Sequence, residues 1–372
     1  MKRLALASVA ALVACSFVAR QEPPPPEASR TPEESSAESR LPLLRVSRTH
    51  GCFADQGGLR CWGDDSQGQL EPAESLGAIR DLAVGDGLTC VCDGERRTRC
   101  WGFRGYGDHV DRAGLRMPRR VPMPPCESVI AGGHYGCSID RRGRLRCWGQ
   151  TPLGDPRSSV IGPRERDGWY EEPLSIRGLP EVVGAAGGPW HACAIATDQK
   201  TYCWGRDIFG ELSDGARRED VVEVPVRGAS IVAASSGGSC VIERGARVVC
   251  WGHDPARPDT IEDRADPTRS PTPRRVDLGH PIRQLAVGHR RVCALAEGGD
   301  LWCWGRPWSA PLGAPHAPPL APAVLAQDVD AVALAGDGGC LADGEGVRCW
   351  GHLARRDGVR APPGEVVISR AE

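Results

Sequence analysis

Cysteine dominates the chemistry open to this chain. Fourteen of its seventeen cysteines fall into seven pairs nine or ten residues apart. They are Cys52 with Cys61, Cys90 with Cys100, Cys137 with Cys147, Cys193 with Cys203, Cys240 with Cys250, Cys293 with Cys303 and Cys340 with Cys349. Paired cysteines can ligate zinc or form disulfides. Structural zinc sites usually take ligands two to four residues apart, and no Cys-x-x-Cys occurs here. Midway between partners lies a turn, as in Asp55-Gln-Gly-Gly58, Asp140-Arg-Arg-Gly143 or Glu297-Gly-Gly299. A turn centred between two short apolar runs folds into a β-hairpin. Residues equidistant from it then face each other about 4.5–5.5 Å apart, within the span of a disulfide. Disulfides in this number indicate an oxidising compartment. Of the remaining three cysteines, Cys92 and Cys126 are assigned to one further bridge, with Cys92 able to compete with Cys90 for Cys100, and Cys15 stands alone near the N-terminus.

Other residues capable of chemistry give weaker patterns. His50, His134, His191 and His289 precede the first cysteine of four pairs by two, three, two and four residues. Along a strand such offsets point to different faces, so a structural hydrogen-bonding role is expected rather than a metal or catalytic ring. The carboxylates fall mostly in turns and linking segments, where solvation accounts for them. No Gly-x-Ser-x-Gly, His-Glu-x-x-His or phosphate-cradling Gly-Lys-Ser/Thr motif occurs. No catalytic residue, metal or cofactor is expected. The 46 basic residues against 48 acidic ones leave a net charge of −2, which does not supply the broad positive field of a nucleic-acid binder.

The elements that position these residues are repeats. Each second cysteine opens Cys-Trp-Gly, placing Trp62, Trp101, Trp148, Trp204, Trp251, Trp304 and Trp350 in register, 39 to 56 residues apart by their cysteines. Such a period with strand-like units means a propeller or a solenoid. Each unit holds four strand candidates, for example Ile79–Val84, Thr89–Cys92, Thr98–Trp101 and Arg120–Val121. The fold expected is all-β, a seven-bladed β-propeller with one disulfide-linked hairpin per blade. The seven tryptophans are assigned to packing between blades. The first unit lacks a preceding fourth strand, and Glu365–Ser369 is left over at the other end. These two are expected to meet and seal the ring without an open edge.

The repeats resemble those of the regulator of chromosome condensation family, a seven-bladed propeller, and are similar to its cysteine-rich secreted bacterial branch. The elements carrying the resemblance are His50-Gly-Cys52 and His191-Ala-Cys193, the Trp-Gly after each hairpin, and Gly68-Gln69-Leu70 and Gly210-Glu211-Leu212. The last element is absent after Trp251 and Trp350, so loops of the fifth and seventh blades are expected to be remodelled. The founding eukaryotic member is a guanine-nucleotide exchange factor that touches chromatin; an exported protein would meet neither partner. Secreted bacterial relatives include an inhibitor of β-lactamase.

The N-terminus adds an address. Lys2 and Arg3 precede the apolar stretch Leu4–Ala14, too short for a permanent membrane span. Leu12-Val13-Ala14-Cys15 is similar to a bacterial lipobox, which implies cleavage before Cys15 and lipidation of that residue. Ser16 after the cysteine favours the outer membrane of a diderm bacterium, with plain secretion as the alternative. Residues 21–40 are rich in Pro, Glu and Ser, cannot offset their ordering entropy, and are expected to act as a spacer. The organisation is therefore 1–14 signal peptide, 15–40 lipidated cysteine and linker, and 41–372 propeller.

Function should sit where the units differ. The longest insertion follows Trp148 and contains Trp169 and Tyr170; a second, charged and proline-rich, runs from His253 to Ser270; Trp190 and Trp308 are further aromatics outside the repeat. Aromatic side chains on loops are favoured anchors. The expectation is a monomeric, lipid-anchored, non-catalytic binding propeller for an unknown protein partner, in an adaptor or inhibitor-like role. The competing reading, binding or cleavage of envelope polysaccharide, requires for cleavage two carboxylates roughly 5–10 Å apart at the channel mouth.

Overall fold

Seven leading strands, six of them ending in glycine or alanine, contact one another in a closed ring. In the computed structural model described here, Leu43–Val46 contacts Ile79–Gly85, which contacts Cys126–Ala131. The ring continues through Val182–Gly187, Ala229–Ala234, Ile282–Gly288 and Val329–Ala335 back to Leu43–Val46. The structure describes residues 42–70, 76–102, 119–120, 123–150, 170–207, 209–213, 221–253, 269–305, 321–336, 338–351, 355–356, 359–360 and 366–369. Contacts divide the chain into 1–40 and 41–372, and every described element belongs to the second unit. Among the described residues every regular element is a strand, and the architecture is a seven-bladed propeller.

Each leading strand heads one antiparallel sheet whose strands follow in chain order. The second and third strands of each blade are the sequence-predicted hairpin, and the cysteine pairs lie directly opposite each other in all seven. Blades 1 to 4 carry Cys52 bridged to Cys61, Cys90 to Cys100, Cys137 to Cys147 and Cys193 to Cys203. Blades 5 to 7 carry Cys240 bridged to Cys250, Cys293 to Cys303 and Cys340 to Cys349. The Cα atoms within these pairs are 4.0–4.2 Å apart. An eighth bridge joins Cys92 to Cys126 across 6.0 Å, tying the second strand of blade 2 to the leading strand of blade 3. Cys92 faces Thr98 rather than Cys100 across the hairpin, so register decides its partner. Six leading strands share a register shift near their start, as between Ile79 and Asp81 or Ile282 and Gln284. A bulge there increases local twist, which a propeller blade needs.

The core lies between blades. Each repeat tryptophan is buried and faces the preceding blade: Trp101 packs with Cys52 and Ala54, Trp204 with Ile130 and Tyr135, Trp304 with Ile242 and Val248. Trp62 of blade 1 completes the circle against Ala331, Ala333 and Cys340 of blade 7. Three blades place glycine opposite the indole (Gly51, Gly136 and Gly339). A Cβ on Gly51 would come within 2.6 Å of Trp62 Cζ2, so the ring needs that space.

Closure differs from the expectation. Val366–Ser369 does not cross to blade 1; it pairs with Gly346–Trp350 as the fourth strand of blade 7, with Val347 opposite Ile368 and Cys349 opposite Val366. Blade 1 keeps three described strands. The outer edge of blade 7 was free for its own tail, and face-to-face packing around Trp62 closes the ring without a shared strand. Truncation after Gly364 should therefore still destabilise the protein, by exposing the edge strand that carries Cys349. A melting temperature unchanged by that truncation would count against the pairing.

Candidate functional site

Strand direction sorts the connections. Because the strands of each blade alternate, the turn between first and second strands shares one end of the propeller with the departure of every insertion after the third strand. Gly102 and Arg119, Gln150 and Tyr170, Gly205 and Val222, and Gly305 and Ala323 mark such departures and returns. The hairpin turns lie at the opposite end, as do Leu43 and Ser369, so the described chain starts and finishes away from the insertions.

At the insertion end the first turns surround a solvent-open depression on the axis, lined among others by Arg48, Asp86, Gly132, Pro189, Ser235 and Gly336. Each turn donates to the next around much of the ring. The Arg48 amide bonds Asp86 Oδ1 at 3.3 Å and the Asp86 amide bonds the Gly132 carbonyl at 3.1 Å. The Tyr135 hydroxyl bonds the Gly188 carbonyl at 2.9 Å, Ser235 Oγ the Gly288 carbonyl at 2.8 Å, and the His289 amide the Gly336 carbonyl at 2.8 Å. Small residues are required because the turns nearly touch: a Cβ on Gly188 would sit 2.6 Å from the Ser235 carbonyl. The Arg48 guanidinium also pairs with Asp86. Asp86 is the one carboxylate among the described lining residues, so the two-acid arrangement that glycoside cleavage needs is not present among them.

The two histidines that share an offset of two residues align. His50 and His191 occupy matching positions in blades 1 and 4 and are buried. His50 Nε2 lies 2.7 Å from Thr89 Oγ1 of blade 2, and His191 Nε2 lies 2.7 Å from Ser239 Oγ of blade 5. Thr89 donates its proton to the Gln69 carbonyl at 2.8 Å, so His50 Nε2 carries the hydrogen. Its Nδ1 faces the Thr49 hydroxyl at 3.0 Å. Burial lowers the His50 pKa to about 3, with nearby Asp64 opposing, and burial lowers that of His191 to about 4. Both are neutral structural links between neighbouring blades. The side chain of His134 lies outside the described residues.

The Gly-Gln/Glu-Leu elements pin the start of two insertions onto the next blade. Asp65 Oδ1 accepts from the Leu70 amide at 3.0 Å and Asp207 Oδ1 from the Leu212 amide at 3.1 Å. Beyond them, Trp251 Nε1 donates to the Glu211 carbonyl at 2.6 Å. Side chains also bridge leading strands: Gln284 Nε2 donates to the Val332 carbonyl and its Oε1 accepts from the Val332 amide, at 2.8 and 3.2 Å.

Four of the seven hairpin-turn carboxylates are withdrawn from solvent, contrary to the expectation. Asp93, Asp140, Glu243 and Asp343 are buried at the hairpin end rather than solvated, and each is paired with arginine: Arg97 and Arg99, Arg144, Arg247 and Arg275, and Arg348 respectively. Burial pushes the first three upward, but hydrogen bonds and charge from those arginines outweigh it and hold Asp93, Asp140 and Glu243 below the usual carboxylate range. They are structural clamps on the hairpins. Among the described residues no cluster of histidine, cysteine or carboxylate could hold a metal ion.

Of the four aromatic candidates, Trp190 is described fully. It is 44% exposed, follows Pro189 on the axial rim, and carries the Arg206 guanidinium 4.8 Å from its ring centroid. Tyr170 opens the fourth strand of blade 3 opposite Gly149; its side chain, Trp169, Trp308 and Cys15 lie outside the described residues. Arg206 and the axial ring escaped sequence reading. The small-residue pairs ending the leading strands, Gly132-Gly133, Gly187-Gly188 and Ser235-Ser236, were the available signal for the ring.

A seven-bladed, disulfide-pinned propeller with its variable segments leaving from one end defines the class. No family model matches the chain. Among curated proteins it is similar to Protein pim1 of Schizosaccharomyces pombe, 27% identical over 40% of this chain and 29% of that protein. Protein RCC2 of Homo sapiens is 30% identical over 40% of this chain and 28% of that protein. The matches to these two thus span under a third of their length. A longer match, 24% identical over 74% of this chain and 68% of the other, is to RCC1 domain-containing protein RUG3, mitochondrial, of Arabidopsis thaliana. In structure it is similar to Prp20p from Saccharomyces cerevisiae, with TM-score 0.63 and 18% identity over 80% of this chain and 81% of that one. Human WBSCR16 gives TM-score 0.64 and 14% identity over 81% and 86%. The curated relatives and the seven-bladed architecture together support the RCC1 repeat family.

Proposed function

We propose that this chain is a non-catalytic binding propeller that holds a protein partner on its insertion end, tethered through lipidated Cys15 to the extracytoplasmic side of the outer membrane of a diderm bacterium. The organisation proposed is 1–14 signal, 15–40 tether and 41–372 propeller. The observation that carries the binding role is the gathering of every described insertion departure and the exposed Trp190 at one end, while both ends of the described chain lie at the other. Prp20p has binding properties towards Gsp1p and histones, and yeast RCC1 (Prp20) is bound by Kap60. Those proteins support protein binding as the use of this fold; their particular partners are not carried over, since function resides in the site rather than the fold.

The tests address the two halves separately. A Cys15→Ser variant should lose fatty-acid labelling and leave the membrane fraction; retained labelling would remove the anchor. Affinity capture from envelope extract should recover a partner with the wild type and markedly less with the Trp169→Ala, Tyr170→Ala double variant. An unchanged catch would remove that insertion as the contact.

A further inference from the structure

We propose that Arg206, stacked on Trp190 beside the axial opening, is a docking point for a carboxylate from an acidic segment of the protein partner. The inference rests on the binding role above and names the chemistry of what is bound. Blade 4 brings the two residues together from different connections: Trp190 lies in the turn before His191–Ala196, and Arg206 follows Lys200–Gly205. Antiparallel pairing sets His191 opposite Gly205, and the Arg206 amide donates to the Trp190 carbonyl at 2.8 Å. Side chain and backbone are thus joined at two points.

The seven repeat tryptophans are buried between blades, whereas Trp190 is 44% exposed. It spends its face on one cation rather than on the core. Arg206 is exposed, and no described acidic side chain forms an ion pair with it. Arg48, three blades around the same opening, is by contrast neutralised by Asp86. A guanidinium stacked on an aromatic face keeps its edge donors directed outward. Two parallel N–H bonds from that edge match a carboxylate. The turn-to-turn hydrogen bonds around the opening hold the supporting wall in place, so little ordering remains to be done on binding. Phosphate could use the same donors. A single fork with no second exposed, unpaired arginine among the described rim residues suits the singly charged carboxylate better.

The probe is a fluorescein-labelled hexaglutamate peptide, with hexaglutamine and a phosphoserine peptide for comparison, titrated by anisotropy at low salt against the full propeller. Hexaglutamate should bind and hexaglutamine should not. Arg206→Gln should weaken hexaglutamate binding about tenfold or more, and Trp190→Ala should weaken it as well. Arg206→Lys should restore part of the loss, since lysine keeps the charge without the fork. Added salt should weaken the wild type and leave little effect in Arg206→Gln. Equal binding of hexaglutamate to wild type and Arg206→Gln, or no binding to either, would overturn the proposal. Preference for the phosphoserine peptide would overturn the carboxylate assignment. If Arg206→Gln still captures the envelope partner at the wild-type level while hexaglutamate fails to bind, the binding propeller stands and this site falls.

Discussion

Full reduction of the eight disulfides should unfold the propeller. The hairpin bridges close loops of nine or ten residues and Cys92–Cys126 one of 34. By loop entropy these contribute about 2.7 and about 3.8 kcal/mol respectively. Eight together reach on the order of 20 kcal/mol, and even half of that rivals the ~5–15 kcal/mol by which a domain is stable. The sulfurs are almost all buried between blades, so reductant alone should act slowly and reductant with mild denaturant quickly. Circular dichroism before and after reduction and alkylation, with mass counting of sixteen modified cysteines, provides the measurement. Native circular dichroism and an unchanged melting temperature in the fully alkylated protein would show that blade packing suffices without the bridges.

Acid should weaken the fold in two stages. In the folded protein His50 titrates at about 3 and His191 at about 4, against about 6.5 in an unfolded chain. Between those values the unfolded chain binds more protons, so their contribution is complete above about pH 6.5 and declines as pH falls towards the folded values. Each imidazole gives a slope of about 1.4 kcal/mol per pH unit, and the two together about 2.7. Asp93, Asp140 and Glu243 add a later stage. Held below their ordinary range, they stabilise the fold above the unfolded carboxylate value of about 4 and lose that contribution as pH drops below it. Denaturant melts at pH 7, 6 and 5 should show the first stage directly. His50→Gln with His191→Gln should flatten it, because the amide bonds Thr89 and Ser239 without titrating. A double variant that keeps the wild-type slope between pH 7 and 5 would refute the assignment.

Much of this propeller is written locally. Alternating short apolar runs, turns midway between cysteines and a Trp-Gly after each hairpin are neighbour-scale signals, and they led directly to seven blades, seven hairpin pairings and the inter-blade role of the tryptophans. Insertions could be located by comparing units, and Trp190 entered as a candidate because it is an aromatic outside the repeat. What the residue order left open depends on contacts between distant segments. The tail strand joined blade 7 rather than blade 1 because the edge beside Cys349 was unoccupied, and no local pattern states which edge is free. Asp93, Asp140, Glu243 and Asp343 are buried because arginines of the same hairpins and adjoining strands pair with them, which their turn positions alone do not reveal. Arg206 meets Trp190, sixteen residues earlier, only because blade 4 sets Gly205 opposite His191. Strand periodicity and turn chemistry thus determine the units, while closure, burial of charge and the exposed aromatic–cation pair are decided when seven sheets pack into one ring.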